Sequence, residues 1–480
     1  MTHTEQAVEV PIDRIRQPLQ RIIHLENLSG IALIVGAVTA LILANTPAAE
    51  SVEHFWHHHL EVKIGAIDLN ESLVHWVNDA LMTLFFFVAG LEIKRELVTG
   101  DLRDPRKAAL PAIAAFGGMI VPAGLYFILS DAATRDGWGI PMATDIAFAV
   151  GILTLLGNRV PGRLKVFLLT LAIVDDLGAI LVIAIFYTTS LNTTALAAAG
   201  ALLLAMVVLR IMGVWWMPIY VLVGAALWLA VFESGIHATL AGVACGLLAP
   251  ARPRRPHQTR IDAHPHATID ELKAIVFDTR ETKSIVDRLI HGLHPFVALA
   301  IVPVFALANT GVAVSLAALG ESFTEPVGLA IMAGLVVGKP VGIVVASWVA
   351  VRTKIAVLPS GTTFTHVVGV GLLGGIGFTV SLFITDLAFA DPAIVDSAKI
   401  AVLSASVLAS ALGASVLVKT KKAIPEAGPI TYDELNATQP EASPAAGGAG
   451  DPSTVPGEAT TKPAPSAHHG RGRTPGGRRG

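Results

Sequence analysis

Long apolar stretches recur along the chain, separated by short polar connections. They lie near residues 27–46, 73–92, 108–130, 138–157, 166–187, 194–212, 217–233, 235–250, 292–311, 327–350, 364–386 and 397–418. A helix needs about 20 apolar residues to cross a bilayer, so each stretch except the short 235–250 is long enough to span. The pattern predicts about twelve transmembrane helices. Two regions break it. Residues 60–70 read LEVKIGAIDLN, alternating apolar and polar on both sides of Gly65 and Ala66, which predicts a small extramembrane β-hairpin. An isolated hairpin is marginal in water, so it is expected either to join two copies as a homodimer or to pack on its own loop. The tail, 419–480, is rich in Pro, Gly, Ala and Ser and is expected to be disordered.

Composition agrees with this reading. The 480 residues are 53% hydrophobic and 15% charged, where soluble domains carry about 25% charge. The fold class is therefore an all-α polytopic membrane protein with a span-bearing domain at 27–418. Cys245 is the single cysteine, which excludes an internal disulfide. The segment 1–26 is polar and lacks the apolar core of a signal peptide. Basic residues set orientation. Lys94, Arg95, Arg103, Arg106, Lys107, Arg159, Arg163, Lys165, Arg210, Arg352, Lys354 and Lys419 fall in alternate connections, together with the long 251–291 loop. The opposite connections carry only Lys63 and Arg135. This asymmetry supports an even number of spans with both termini, and the tail, in the cytoplasm; the expected location is the plasma (inner) membrane.

Charges inside the apolar stretches carry the chemistry. Residues 168–185 read LLTLAIVDDLGAILVIAI, with Asp175 and Asp176 in the middle. A charge at the bilayer centre costs several kcal/mol, and such residues usually face a water-filled path. The functional reading is a site that binds and exchanges cations; the alternative is a solvated turn. Pro141, Thr144 and Asp145 interrupt another span, where Pro141 removes a backbone donor. Broken helices expose dipole ends and carbonyls that build ion sites in many transporters. Residues 368–379, VGVGLLGGIGFT, can unwind likewise, or let helices approach closely. Lys339 lies centrally in its span, which argues against snorkelling to an interface; a buried ammonium needs a partner or loses its proton, and Asp145, Asp175 and Asp176 are the available carboxylates. Glu92, Lys94, Arg95 and Glu96 cluster at the cytoplasmic end of the second span, with His291 and His294 next to the ninth. They form either a pH-responsive mouth or an interfacial anchor. His237 stands nearer the outer face. The group His54, His57, His58 and His59 lacks the carboxylates or cysteines of a dedicated metal site.

Taken together, ATDIAFAVGIL (143–153), LAIVDDLGAI (171–180), GIHATLAGV (235–243), GKPVGI (338–343) and GGIGFT (374–379), with NDALM and GLEIKREL in the second span, closely resemble the NhaA-type sodium/proton antiporters over residues 27–418. That family is itself a standard example of inverted repeats with broken helices, so the architecture comes with the resemblance. The resemblance implies twelve helices in an inverted repeat, with the fourth and eleventh interrupted and crossing. It implies Asp176 as the carboxylate for the transported Na+, with Asp175 its neighbour. Asp145 and Lys339 become the pair balancing the crossed ends, with Thr144 an oxygen donor. Glu92 and Arg95 fall at the pH-sensing entrance, with Glu96, His291, His294 and His237 further candidates. Ile290 stands where better-known members carry a glutamate. The expected activity is electrogenic, pH-regulated exchange of Na+ or Li+ for H+. Membrane lipid and a second copy are the expected partners, and neither a cofactor, nucleic acid nor enzymatic chemistry is called for. The alternatives are a K+ or broad-cation exchanger, a non-transporting sensor, and an intramembrane aspartyl protease, whose GxGD and PAL strings are absent.

Overall fold

The computed structural model describes residues 25–64, 67–157, 160–188, 191–214, 216–251 and 284–420. The N-terminal segment before residue 25, most of the 251–291 loop and the tail beyond residue 420 lie outside them. The described chain is mostly helical and belongs to a multi-pass membrane protein. Its principal helices are α1 (Leu25–Ala44), α2 (Leu73–Val98), α3 (Pro105–Leu129), α4 (Ile146–Leu155), α5 (Gly162–Phe186), α6 (Thr193–Ile211) and α7 (Met217–Glu233). The series continues with α8 (Thr239–Leu248), α9 (Ile285–Asn309), α10 (Pro326–Arg352), α11 (Phe364–Gly374), α12 (Phe378–Ala388) and α13 (Pro392–Lys419).

Among the described residues, eight segments are long and apolar enough to cross a membrane, or up to ten if two bent pairs each count as one span. One bent pair is α11 with α12, at 45°. The other joins α1 to the short helix Ala49–Trp56 at 118°. α7 and α8 are apolar but shorter. Several helices run beyond their apolar stretches: α2 continues to Val98 through Glu92, Lys94, Arg95 and Glu96. Hydropathy marks only the lipid-facing length, whereas the backbone ladder continues through the polar ends.

The helices are apolar on nearly every side, because lipid replaces water outside. Ile128, Ile211, Val221 and Leu222 point outward, while Asp175 and Lys339 are fully buried. Two helices widen to a π-turn beside a proline. Val297–Ile301 precedes Pro303 in α9, and Gly334–Gly338 precedes Lys339 and Pro340 in α10. Proline removes a donor and crowds the preceding turn, and a wider turn absorbs both defects.

The hairpin pairs β1 (His59–Ile64) with β2 (Ile67–Ser72), antiparallel, from His59 opposite Ser72 to Ile64 opposite Ile67. It runs directly into α2: the His75 amide donates to Ser72 Oγ, and Trp76 Nε1 donates to the Leu60 carbonyl.

α3 and α10 pack at backbone distance. A Cβ on Gly117 would lie 2.3 Å from the Gly342 carbonyl oxygen, and one on Gly342 would lie 2.1 Å from the Gly117 oxygen. Small residues permit such approach in lipid, where dispersion rather than the hydrophobic effect joins helices. Gly117→Val is therefore expected to lower the thermal midpoint in detergent, since overpacking costs about 1–3 kcal/mol. Gly124→Ala, on the same helix with open space around it, is expected to leave the midpoint unchanged or slightly raised.

Candidate functional site

Two chain breaks meet inside the bundle. The first follows a 3-10 turn, Arg135–Met142, that ends at the extended residue Ala143; α4 then begins with Asp145 as its N-cap. The second is Gly375–Gly377, between α11 and α12. A Cβ on Gly375 would sit 2.3 Å from the Leu335 carbonyl oxygen, so only glycine fits that crossing. The breaks touch directly: the Asp145 amide donates to the Ile376 carbonyl at 2.6 Å.

A helix end inside lipid leaves peptide groups without water, and each needs a partner. Here the partners have the sign that the helix dipoles require. At the positive ends, Asp145 Oδ1 accepts from the Phe148 amide at 2.9 Å, and Oδ2 accepts from the Thr379 amide at 3.2 Å and hydroxyl at 2.8 Å. One carboxylate thus serves the starts of both α4 and α12. At the negative ends, Lys339 Nζ donates to the Met142 carbonyl, where the 3-10 turn stops. Thr144 Oγ1 lies 2.9 Å from the Gly374 carbonyl, the last of α11.

Lys339 and Asp145 are not joined to each other. The Lys339 ammonium sits 2.6 Å from Asp175 Oδ2, with both side chains fully buried. Thr144 Oγ1 lies 2.7 Å from the same carboxylate oxygen. Its single proton serves Asp175 or Gly374, one at a time. The expected dipole-balancing pair is therefore two separate devices, and the buried cation neutralises Asp175.

Adjacent residues on a helix point about 100° apart, so α5 sends its two aspartates in different directions. Asp175 faces Lys339. Asp176 lines a cavity of about 430 Å³. Oδ1 of each aspartate is buried without a hydrogen-bond partner in the described structure. Thr144, Asp145 and Thr379 also line the cavity, so oxygen donors gather around the Asp176 end.

The same cavity is lined by Glu92, Arg95, His291 and His294, which places four of the charged-cluster residues along one path to Asp176. His294 Nε2 stands 3.9 Å from Glu92 Oε1. Ile290 is buried beside them and brings no charge. Two candidates stand apart. Glu96 Oε2 accepts from the Asp101 amide at the end of α2, and a ring nitrogen of His237 lies 2.7 Å from the Tyr187 carbonyl oxygen. Thr379, inside GGIGFT, is the contact that reading side-chain charge alone passes over. Its hydroxyl becomes informative only once the break at Gly375–Gly377 is recognised.

A family model described as Na+/H+ antiporter 1 matches residues 20–417. The chain belongs to this antiporter family. Among its antiporter relatives, the Na+/H+ antiporter NhaA 3 of Frankia alni is 43% identical over 435 residues, covering 89% of this chain and 94% of the relative. NhaA 2 of Myxococcus xanthus is 46% identical over 407 residues, with 81% and 86% covered. NhaA of Escherichia coli is 45% identical over 404 residues, with 83% and 97% covered. The sodium proton antiporter MjNhaP1 of Methanocaldococcus jannaschii shows a looser likeness. It has a TM-score of 0.45 and 14% identity, with 81% of this chain and 92% of that chain covered.

In this antiporter the Lys339–Asp175 pair is the most deeply buried charge pair of the site. Lys339→Met is expected to lower the thermal midpoint sharply, because removing one partner of a buried pair costs about 3–5 kcal/mol. Thermal unfolding of Lys339→Met, Asp175→Asn and the double variant checks this: the double variant should lose less than the sum of the singles.

Proposed function

We propose that the protein exchanges Na+ or Li+ for H+, with Asp176 as the carboxylate that alternates between proton and cation. One observation carries this reading: Asp176 lines a cavity together with Thr144, Asp145 and Thr379 from beside the two breaks, and its Oδ1 is buried without a hydrogen-bond partner among the described residues. A small hard cation takes oxygen ligands, and the Asp176 carboxylate with the hydroxyls of Thr144 and Thr379 supplies that chemistry. Protonation of the aspartate removes the charge that retains the cation. Na+ and H+ therefore compete for one place, and the pair titrates as a unit. Only the occupied site switches access between the two faces of the membrane. The membership of the antiporter family supports the same direction of inference.

The finer architecture we propose is twelve spans. α7 and α8 serve as short spans, and the interrupted pairs around 143–145 and 375–377 occupy equivalent places in an inverted repeat. The termini lie in the cytoplasm of a plasma (inner) membrane, and the hairpin 60–70 joins two copies. Exchange is electrogenic, so the membrane potential contributes about 2.3 kcal/mol per charge per 100 mV. The Glu92, Arg95, His291 and His294 mouth sets the pH response. With Ile290 in the neighbouring position, one carboxylate fewer faces His294 than in a member with glutamate there.

Everted membrane vesicles test the reading. An imposed inside-acid gradient should collapse on adding Na+ or Li+ and persist with K+. Asp176→Asn should abolish the collapse while the protein stays inserted and keeps its thermal midpoint. Full exchange by folded Asp176→Asn would falsify the assignment. Ile290→Glu is expected to displace the pH–activity profile without changing maximal rate; an unmoved profile would remove the mouth from pH control.

A further inference from the structure

A second polar group lies at the other end of the helices that form the cavity. Asp386, near the end of α12, pairs with Lys399 of α13 at 2.9 Å through Oδ1, while Oδ2 is buried without a hydrogen-bond partner in the described structure. The Asn78 side chain, at the start of α2, comes within hydrogen-bonding reach of the same carboxyl group, with His75 nearby. The Asn78 and Asn309 side chains hold each other by two reciprocal amide hydrogen bonds, at 3.1 and 2.8 Å. Asp396, also on α13, is the other acidic neighbour of Lys399.

Three helices connect this group to the cation site in the same order. On α12, Thr379 lines the cavity, Phe383 follows at i+4 and Asp386 at i+7, all on one helical face. On α9, Val302 lines the cavity, Phe305 follows at i+3 and Asn309 at i+7. α2 runs the opposite way: Ala89 lines the cavity, Phe86 precedes it, and Asn78 stands within the π-turn Val77–Leu81. The three phenylalanines meet between the two polar ends. The Phe383 ring lies 5.5 Å from Phe86 and 6.4 Å from Phe305, and all three side chains are buried. At 1.5 Å per residue, Thr379 and Asp386 are about 10 Å apart along α12. A carboxylate, two amides and an ammonium are thus gathered, only partly exposed, toward one end of the apolar spans, and this stripe leads from them to the exchange site.

We infer that Asp386, with Asn78 and Asn309, is a docking site for the transported monovalent cation on the hairpin face of the membrane, separated from Asp176 by a seal of Phe86, Phe305 and Phe383. The inference rests on the antiporter reading. The carboxylate and amide oxygens supply hard donors suited to a small cation. Lys399 is a tethered cation on the same carboxylate, so an arriving ion must displace its ammonium toward solvent. Parting of the three rings would open the hairpin face to the exchange site while the cavity at the basic-rich face closes.

The test is sided transport by the full-length protein. Na+ half-saturation is measured from the hairpin face in right-side-out vesicles and from the basic-rich face in everted ones. Asp386→Asn is expected to raise half-saturation at the hairpin face about tenfold, the size expected for losing a hydrogen-bonding partner of a charge. Half-saturation at the other face should not move. Lys399→Gln should lower the hairpin-face value, and Asp386→Glu should restore part of the affinity. Wild-type exchange with no hairpin-face change in Asp386→Asn would overturn the inference and leave the antiporter reading standing. Equal shifts at both faces, or loss of inserted protein in Asp386→Asn and Asp386→Glu alike, would assign the pair to structure and overturn it too. Absence of wild-type exchange at either face would overturn both readings.

Discussion

Unpaired peptide groups cannot stay in a hydrocarbon interior, and the described site is organised by that constraint. Breaking two helices at mid-bundle exposes amides at two helix starts and carbonyls at two ends. Asp145 takes the amides of both starts, while Lys339 and Thr144 take the carbonyls. These partners bring charge with them, and the charge must itself be compensated. Lys339 finds Asp175, so the ammonium that closes a helix end also neutralises half of the aspartate pair. Asp176 is the group left over, with a cavity beside it. The chemistry proposed for the protein is carried by the one carboxylate that the helix ends do not need.

This division gives the two aspartates unequal parts. Asp175 is tied into the scaffold through Lys339 and Thr144, and a change of its charge is transmitted to the ends of two broken helices. Asp176 lines the cavity and is the carboxylate to which we assign the exchange. A proton or cation at Asp176 alters the field on Asp175 and Lys339 one helical position away. In the proposed mechanism the breaks are therefore both part of the binding site and the element whose packing the occupant biases. Close backbone packing at Gly117 and Gly342 leaves little room for continuous deformation, which favours movement between two discrete arrangements.

Much of this was legible in the chain. Charged residues in long apolar runs stand out because lipid makes them costly, so Asp145, Asp175, Asp176 and Lys339 declare themselves, and Pro141 with the glycines around 374–377 marks where helices stop. Spacing alone leaves the pairing open, because three carboxylates compete for one ammonium and only the crossing geometry decides. Lys339 therefore goes to Asp175, and Asp145 to Thr379. Glu96 looks like a member of the mouth by type and neighbourhood, yet its carboxylate turns to the Asp101 amide, and His237, a candidate by type alone near the outer face, lies against the Tyr187 carbonyl. Backbone acceptors such as the Met142 carbonyl leave no trace in a sequence, and Phe86, Phe305 and Phe383 read as ordinary apolar positions until three helices bring them together.

The central claim is that proton and cation compete for the Asp176 carboxylate. Isothermal titration of the purified protein with NaCl tests it most directly, run at each of several pH values in buffers of different ionisation enthalpy so that proton release appears as a buffer-dependent heat. The account predicts that Na+ binding releases protons, that affinity weakens as pH falls, and that both the binding and the release vanish in Asp176→Asn. Saturable Na+ binding with no buffer-dependent heat and no dependence on pH would contradict it.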